Sequence, residues 1–334
     1  MIDQIRKYTW GRPLKTGAVI RDIPAEGSVI PGFSCDETAK TLSRKLKQGE
    51  IVYGLGETLR GINKRGWLYV SNNADEPHHE EGKNSLYASQ NLLILDDGET
   101  PLGLFIDQPG EVRFDIGYTK NDELLISIGT GEAEEPEEFT PGTDFYLLSG
   151  KTPEEIVTTF RKLIGRCYIP PLWAFGYGQS RWGYENAEDV RRVEENYRKL
   201  DIPLDMIYMD IDYMQDYKDF TVNPERFPEF PKFVSEMKEK GIRLIPIIDA
   251  GVKIEKGYDL YEEGMEKGYF CKKKDGKELV AAVWPGKVHF PDFLNDAAAK
   301  WFGDKYKTLT DAGIEGFWND MNEPAIFYTE DHLK

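Results

Sequence analysis

Cysteine is scarce in this sequence, and long apolar runs are missing. The three cysteines, Cys35, Cys167 and Cys271, are far apart and form no Cys-x-x-Cys motif. Their number and spacing indicate neither a disulfide framework nor a zinc site, so we expect ordinary buried thiols. No apolar run has the length of a membrane span, and residues 1–8 lack the apolar core of a secretion signal. The sequence therefore predicts a cytoplasmic protein without a membrane partner.

Basic residues are also in the minority. The chain has 42 Lys and Arg residues against 59 Asp and Glu residues, which gives a net charge of −17. A nucleic-acid backbone would be repelled on average, so we expect no nucleic-acid partner. With 334 residues, of which 40% are hydrophobic, the chain is long and apolar enough for two globular domains.

Residues 1–150 have the pattern of an antiparallel β protein. Short apolar segments are separated by Gly and Pro turn signals such as Asp96-Asp97-Gly98 and Gln108-Pro109-Gly110. The strand-like segments cover residues 51–53, 92–95, 102–106, 124–128 and 145–148. Many short strands with few helical patterns predict a β-sandwich domain over residues 1–150.

A predicted linking helix at residues 151–168 follows this domain. Thr152-Pro153-Glu154-Glu155 is a capping box with Pro at the first helical position. Beyond it, strand and helix patterns alternate. We predict strands at 173–180, 204–211, 243–249 and 316–318, and helices at 187–200, 231–240 and 296–310. This alternation predicts that residues 169–334 form the first four βα units of a (β/α)8 TIM barrel, an α/β fold.

Half a barrel would not be stable as a folded domain on its own. A parallel sheet that stops after four strands leaves an unpaired edge and exposes side chains meant for the barrel interior. We therefore expect the C-terminal half of the barrel to be supplied by the same longer chain or by a second chain.

The most informative segment is Trp318-Asn319-Asp320-Met321-Asn322-Glu323, which directly follows an apolar stretch. A carboxylate at the exit of a buried strand is where a barrel enzyme places its chemistry. Asp320 is therefore the candidate catalytic residue. The alternative is that Asp320 caps a helix or stabilises a turn.

This segment resembles the nucleophile motif of glycoside hydrolase family 31, the α-glucosidase family. Further segments that resemble the family precede this motif, in the order expected for the family. They lie at residues 176–184, 210–214, 247–249, 284–286 and 290–293. The resemblance implies a retaining, exo-acting α-glucosidase that hydrolyses terminal α-linked glucose from oligosaccharides, with α-1,4 and/or α-1,6 linkage. Asp320 would be its nucleophile, and no metal or organic cofactor is implied. The second carboxyl group, the general acid/base, lies beyond the nucleophile in the family and outside this sequence.

The resemblance also implies a set of substrate-binding residues. Asp210 would bind the non-reacting hydroxyl groups of the sugar, and Asp75 would reach over the mouth of the pocket from a loop of the first domain. Tryptophan and apolar side chains would form the walls and lining: Trp182, Trp284, Trp318, Met321, Ile211 and Ile247. The alternative for each is structural, namely a salt bridge or a loop cap for Asp210, a solvated loop for Asp75 and core packing for the rest.

Other functions stay open at this point. One is another family 31 activity, such as that of an α-xylosidase or a transglycosylase, although Met321-Asn322-Glu323 favours glucose. The other is an inactive carbohydrate-binding fragment, because the acid/base half is absent from this sequence.

Overall fold

A computed structural model describes residues 4–73, 76–129 and 142–329 of the chain. The chain divides into two compact units, Met1–Tyr168 and Ile169–Lys334. No helix in the described ranges is both long and apolar enough to cross a membrane.

The first unit contains two antiparallel sheets of five strands each. The first sheet has the order β1-β10-β7-β6-β4, with β1 Ile5–Trp10, β4 Ile51–Gly56, β6 Ser89–Asp96, β7 Leu102–Asp107 and β10 Thr143–Ser149. The second has the order β2-β3-β9-β8-β5, with β2 Ser34–Asp36, β3 Thr41–Lys45, β5 Trp67–Ser71, β8 Val112–Ile116 and β9 Glu123–Ile128. Alternate side chains of β9 are buried, as expected for a strand with one covered face. Buried residues of both sheets, including Leu104 and Phe114, form one hydrophobic core.

Helix α1, Pro153–Ile164, packs against the first sheet of this unit. Its predicted cap is confirmed, because the Glu155 backbone N–H donates to the Thr152 hydroxyl at 3.3 Å. Ile156, Phe160 and Leu163 are buried in a cluster with residues of the sheet. The rings of Phe160 and Phe105 lie 5.0 Å apart. The helix therefore belongs to the hydrophobic core of the first unit, and its role as a link between domains stays a prediction.

The second unit is built on a four-stranded parallel sheet. Its order is β11-β12-β13-β17, with β11 Gly178–Gln179, β12 Met206–Met209, β13 Arg243–Asp249 and β17 Trp318–Asp320. The helices between these strands are α2 Ala187–Lys199, α3 Phe230–Glu239, α5 Asp296–Lys305 and α6 Lys307–Thr310. The predicted alternation of strands and helices is confirmed, and the buried faces of helices and sheet form one core.

Three predicted strands differ from the observed structure. The predicted strand at 204–211 is shorter, Met206–Met209, and a 3-10 helix, Ile211–Tyr213, follows it. The predicted strand at 173–180 is a 3-10 helix, Leu172–Phe175, followed by the two residues of β11. Pro171 precedes this helix, and its fixed φ suits the start of a helical turn. The last strand begins at Trp318 instead of Gly316, so Asp320 is the final residue of the strand.

A small antiparallel sheet is inserted beside the parallel one. Its order is β14-β16-β15-β18, with β14 Val252–Lys253, β15 Ala281–Val283, β16 Gly286–His289 and β18 Tyr328–Thr329. Helix α4, Asp259–Lys267, lies between β14 and β15 in the chain. The chain after β17 therefore returns to this sheet, where β18 pairs with β15, a strand that comes earlier in the sequence.

The expectation of buried thiols is wrong for one cysteine. Cys167 is exposed, whereas Cys35 and Cys271 are partly buried.

Candidate active site

Three neighbouring parallel strands end in aspartates. Asp210 directly follows β12, Asp249 is the last residue of β13, and Asp320 is the last residue of β17. Asp249 and Asp320 are paired in register across the two strands. Neighbouring strands lie about 4.8 Å apart, and in-register side chains point to the same face. The sheet therefore places these three residues together at the C-terminal ends of its strands, and we call them the carboxylate cluster.

The carboxylate cluster resists full ionisation. Burial, together with smaller contributions from the charges of Asp320 and Asp210, raises the pKa of Asp249 to about 7. Burial also raises the pKa of Asp210, with smaller contributions from Asp212 and Asp320. The Ile211 backbone N–H, which donates to Asp210 at 2.8 Å, opposes this rise. At neutral pH the cluster therefore holds at least part of a proton, as closely spaced carboxyl groups do.

A fourth carboxyl group, Asp219, lies behind the carboxylate cluster. It is almost completely buried, and its Oδ1 accepts the backbone N–H of Asp249 at 3.1 Å. Its backbone carbonyl accepts the hydroxyl of Tyr258 at 2.9 Å. Burial raises the pKa of Asp219 well above its usual value. Asp219 thus fixes the backbone of β13 at the residue that carries the Asp249 side chain.

The loop that carries Asp219 is strained. Asp216, Tyr217 and Phe220 have φ values of 53°, 58° and 59°, in the left-handed region that residues other than glycine rarely adopt. Strain of this kind persists only where the surroundings fix it, and it is concentrated at functional sites. In this loop the strained residues flank Asp219, whose buried carboxyl group is bound to the backbone at the end of β13.

The turn after Asp320 is also fixed by packing. Met321 has a φ of 60°, and its buried side chain contacts the core of the small antiparallel sheet. The core residues around it are Ala281, Val283, Val288, Phe290 and Ala325. Met321 therefore anchors the backbone immediately after the candidate catalytic residue.

Two of the three predicted tryptophans lie together at the surface. Trp182 and Trp284 are 67% and 47% exposed, and their rings are stacked with centroids 6.4 Å apart. Phe327 meets Trp284 edge-on at 4.9 Å. Trp318 forms a T-shaped ring pair with Tyr208, with centroids 6.2 Å apart. Exposed aromatic faces of this kind can stack on the apolar face of a sugar ring.

The remaining predicted residues lie in different surroundings. Ile211 and Ile247 are buried in the hydrophobic core of the second unit. Ile211 directly follows Asp210 in the sequence, and Ile247 comes two residues before Asp249. The Ile247 carbonyl accepts the Tyr213 hydroxyl at 2.8 Å. Asp75 lies outside the described residues. In the described part of the chain, no group of three or more His, Cys, Asp or Glu residues has an arrangement suited to a metal ion.

Sequence reasoning did not nominate two members of this site. Asp249 carries the same signal as Asp210 and Asp320, a carboxyl group at the end of an apolar strand, and could have been found by it. Asp219 lies in a loop and has no such signal. Only the fold brings it to Asp249.

Both units match models of one protein family. Residues 167–334 match the glycosyl hydrolases family 31 TIM-barrel domain. Residues 32–115 match the glycosyl hydrolase 31 N-terminal galactose mutarotase-like domain.

Individual relatives agree with this. Alpha-glucosidase 2 of Bacillus thermoamyloliquefaciens is 39% identical over 286 residues, which cover 85% of this chain and 35% of that protein. Alpha-xylosidase 1 of Arabidopsis thaliana is 41% identical over 187 residues, which cover 55% of this chain and 20% of that protein. A mutant GH31 dextranase of Flavobacterium johnsoniae, solved with isomaltotriose, has a TM-score of 0.78 and 26% identity over 91% of this chain and 36% of that chain. The chain thus spans about a third of the length of the bacterial α-glucosidase that it matches. Because the family's barrel model matches residues 167–334, half of the sequence, this chain belongs to glycoside hydrolase family 31.

Proposed function

We propose that this chain is part of a retaining, exo-acting α-glucosidase that removes terminal α-linked glucose from oligosaccharides. The observation that carries the proposal is the position of Asp320, the last residue of β17, beside Asp249 and near Asp210. The sequence around Asp320 supports the assignment, because it has the family's nucleophile motif. The similarity to an α-glucosidase over 85% of the chain supports glucose as the sugar.

In this proposal Asp320 is the nucleophile of a double displacement. Its carboxylate attacks the anomeric carbon, the bond to the leaving oxygen breaks, and a general acid protonates that oxygen. Water then hydrolyses the β-glucosyl-enzyme, with the same second group acting as a base. We assign this acid/base to the C-terminal half of the barrel, which the same longer chain or a second chain would supply. The greater length of the relatives supports the first of these sources.

The other site residues would bind the substrate. Asp210 offers a half-buried acceptor for sugar hydroxyl groups, and a charged acceptor forms the stronger hydrogen bonds. Trp182 and Trp284 would form one wall of the pocket, and Trp318 and Met321 would contact the sugar beside Asp320. Ile211 and Ile247 would back the pocket from the core, and Asp75 would close its mouth.

The proposed architecture follows from the same reasoning. We infer a β-sandwich followed by the first four βα units of a (β/α)8 barrel. The core shared by the two five-stranded sheets supports the first part. The order β11-β12-β13-β17, with helices between the strands, supports the second.

The nucleophile can be tested by covalent labelling of the complete enzyme with a fluorinated α-glucosyl fluoride. The reagent forms a slowly hydrolysed glycosyl-enzyme, and peptide mass mapping locates the bound sugar. We expect one adduct per site, on the peptide containing Asp320, and none in Asp320→Asn. A suitable control is Glu194→Gln, because Glu194 is a buried carboxylate on α2 that is paired with Arg198 and Lys240. An adduct on another residue, or an active Asp320→Asn variant, would refute the assignment.

A second candidate is the α-xylosidase activity found in this family, since one relative with 41% identity bears that name. A xyloside lacks the hydroxymethyl group of glucose, so the two activities differ in how the pocket treats that group. Comparison of kcat/KM on aryl α-glucoside and aryl α-xyloside distinguishes them. The proposal requires the glucoside to be preferred. A transglycosylase would instead transfer glucose to an added sugar acceptor faster than to water.

A further inference from the structure

The side chain of Asp249 is buried in a way that the pairing of its strand does not explain. It is 4% exposed, and its Oδ1 is buried without a hydrogen-bond partner among the residues that the structure describes. A buried carboxyl oxygen without a partner is costly, so native structures rarely retain one without a function. The backbone N–H of Asp249 is bound by Asp219, which holds the residue in place but leaves this oxygen unsatisfied.

Among the residues that the structure describes, the titratable groups that interact with Asp249 include no cation. They are Asp320 from β17, Asp210 from the end of β12, Asp219 from the strained loop and Tyr213 from the 3-10 helix after β12. Three are carboxyl groups and one is a phenol. A second full negative charge beside Asp320 would therefore be opposed from several sides. The arrangement favours one proton on the pair formed by Asp249 and Asp320.

We propose that Asp249 is a positioning residue for Asp320: its buried carboxyl group keeps its proton and donates it in a hydrogen bond to the Asp320 carboxylate. This inference rests on the proposed function, since it concerns the nucleophile. The proton belongs to Asp249, the more buried partner, and the less buried Asp320 is the attacking group. A hydrogen bond to an ionised acceptor is short and directional, so it would orient the attacking oxygen.

The proposal predicts a pH limit that belongs to Asp249. The pKa of this group is raised to about 7, so the hydrogen bond is lost and a second charge appears as the pH rises through that value. A fluoride leaving group departs without a proton from the general acid. The rate of labelling by a fluorinated α-glucosyl fluoride therefore reports the nucleophile and its neighbours, without the general acid.

The test measures the second-order rate of labelling of Asp320 in the complete enzyme from about pH 5 to about pH 9, a range that spans the raised pKa. In the wild type the rate should fall about tenfold or more through one ionisation, the size expected for losing a hydrogen bond to a charged group. In Asp249→Asn the amide donates at every pH, so this fall should disappear. Asp249→Leu has no donor at any pH, so it should be slower than the wild type below about pH 6, where the wild type keeps its hydrogen bond. Glu194→Gln should keep the wild-type profile, because Glu194 is paired with Arg198 and Lys240 on helix α2.

Each outcome decides a separate question. A wild-type fall that persists in Asp249→Asn, or an Asp249→Leu variant as fast as the wild type below about pH 6, would overturn the role of Asp249. If Asp249→Asn does not fold, the wild type still decides, because a rate independent of pH above about pH 6 contradicts the proposal. A wild-type enzyme labelled at a residue other than Asp320 would overturn the proposed function instead.

Discussion

The folded protein opposes the ionisation of Asp249. Burial and the charges of Asp320 and Asp210 raise its pKa from 3.8 to about 7. A raised pKa in the folded state stabilises the fold fully below the pKa of the unfolded chain. That contribution is lost as the pH rises through the folded value. The residue therefore makes the second unit less stable at alkaline pH than at acid pH.

We predict that Asp249→Asn stabilises the protein relative to the wild type at about pH 8, because the amide cannot ionise. A shift of roughly three pKa units corresponds to about 4 kcal/mol in the free energy of unfolding. Below about pH 3 the advantage should vanish, since Asp249 is then mostly protonated in both states of the wild type. Urea unfolding of the complete enzyme at both pH values measures this. A difference between variant and wild type that stays constant with pH would contradict the prediction.

At the scale of elements, β13 and β17 show how far the sequence predicts this fold. Arg243–Asp249 is a nearly continuous apolar run, as a strand covered on both faces requires, and its predicted and observed bounds agree. The observed bounds of β17 depend on its ladder with β13, in which Trp318 pairs with Ile247 and Asp320 with Asp249. That register depends on contacts between distant parts of the chain, which local sequence patterns do not report. The strand was therefore predicted two residues too early. The contact of Asp219 with β13 is equally non-local.

The aromatic pair of Trp182 and Trp284 joins two loops that follow different strands. Trp182 follows β11, and Trp284 lies in the turn between β15 and β16. We predict that Trp182→Tyr changes the ratio of kcat/KM for α-1,6 and α-1,4 disaccharides by about tenfold, because in the proposed pocket a smaller ring would reshape the wall next to the leaving sugar. Trp301→Phe is the control, since Trp301 is buried in the core and should leave the ratio unchanged. Equal losses on both disaccharides for Trp182→Tyr would indicate a packing role alone.

At the scale of the whole molecule, the first unit extends beyond its strands to include α1. The helix covers Ile94, Phe105 and Leu148 of the first sheet with its apolar face. A piece that ends at residue 150 would leave this apolar surface in water, at a cost of about 25 cal/mol per Å².

We predict that residues 1–168 fold as an independent, cooperative unit and that residues 1–150 melt at a lower temperature or aggregate. Phe160→Ala in the longer piece should reproduce much of the loss, about 3–5 kcal/mol for a buried phenylalanine. Val157→Ala is the matched control, because Val157 is exposed on the same helix. Thermal unfolding followed by circular dichroism measures all four proteins. Equal melting temperatures for the two lengths would show that α1 contributes nothing to this core.

The return of the chain after β17 has a consequence for the order of folding. Asp320 pairs with Asp249, and Tyr328 then pairs with Ala282, so both contacts close long loops of the chain. Closing such loops costs chain entropy before the contacts compensate, and structures rich in them form slowly. Asp320 lies between the two closures. We therefore expect the Asp320 carboxyl group to reach its place late in folding.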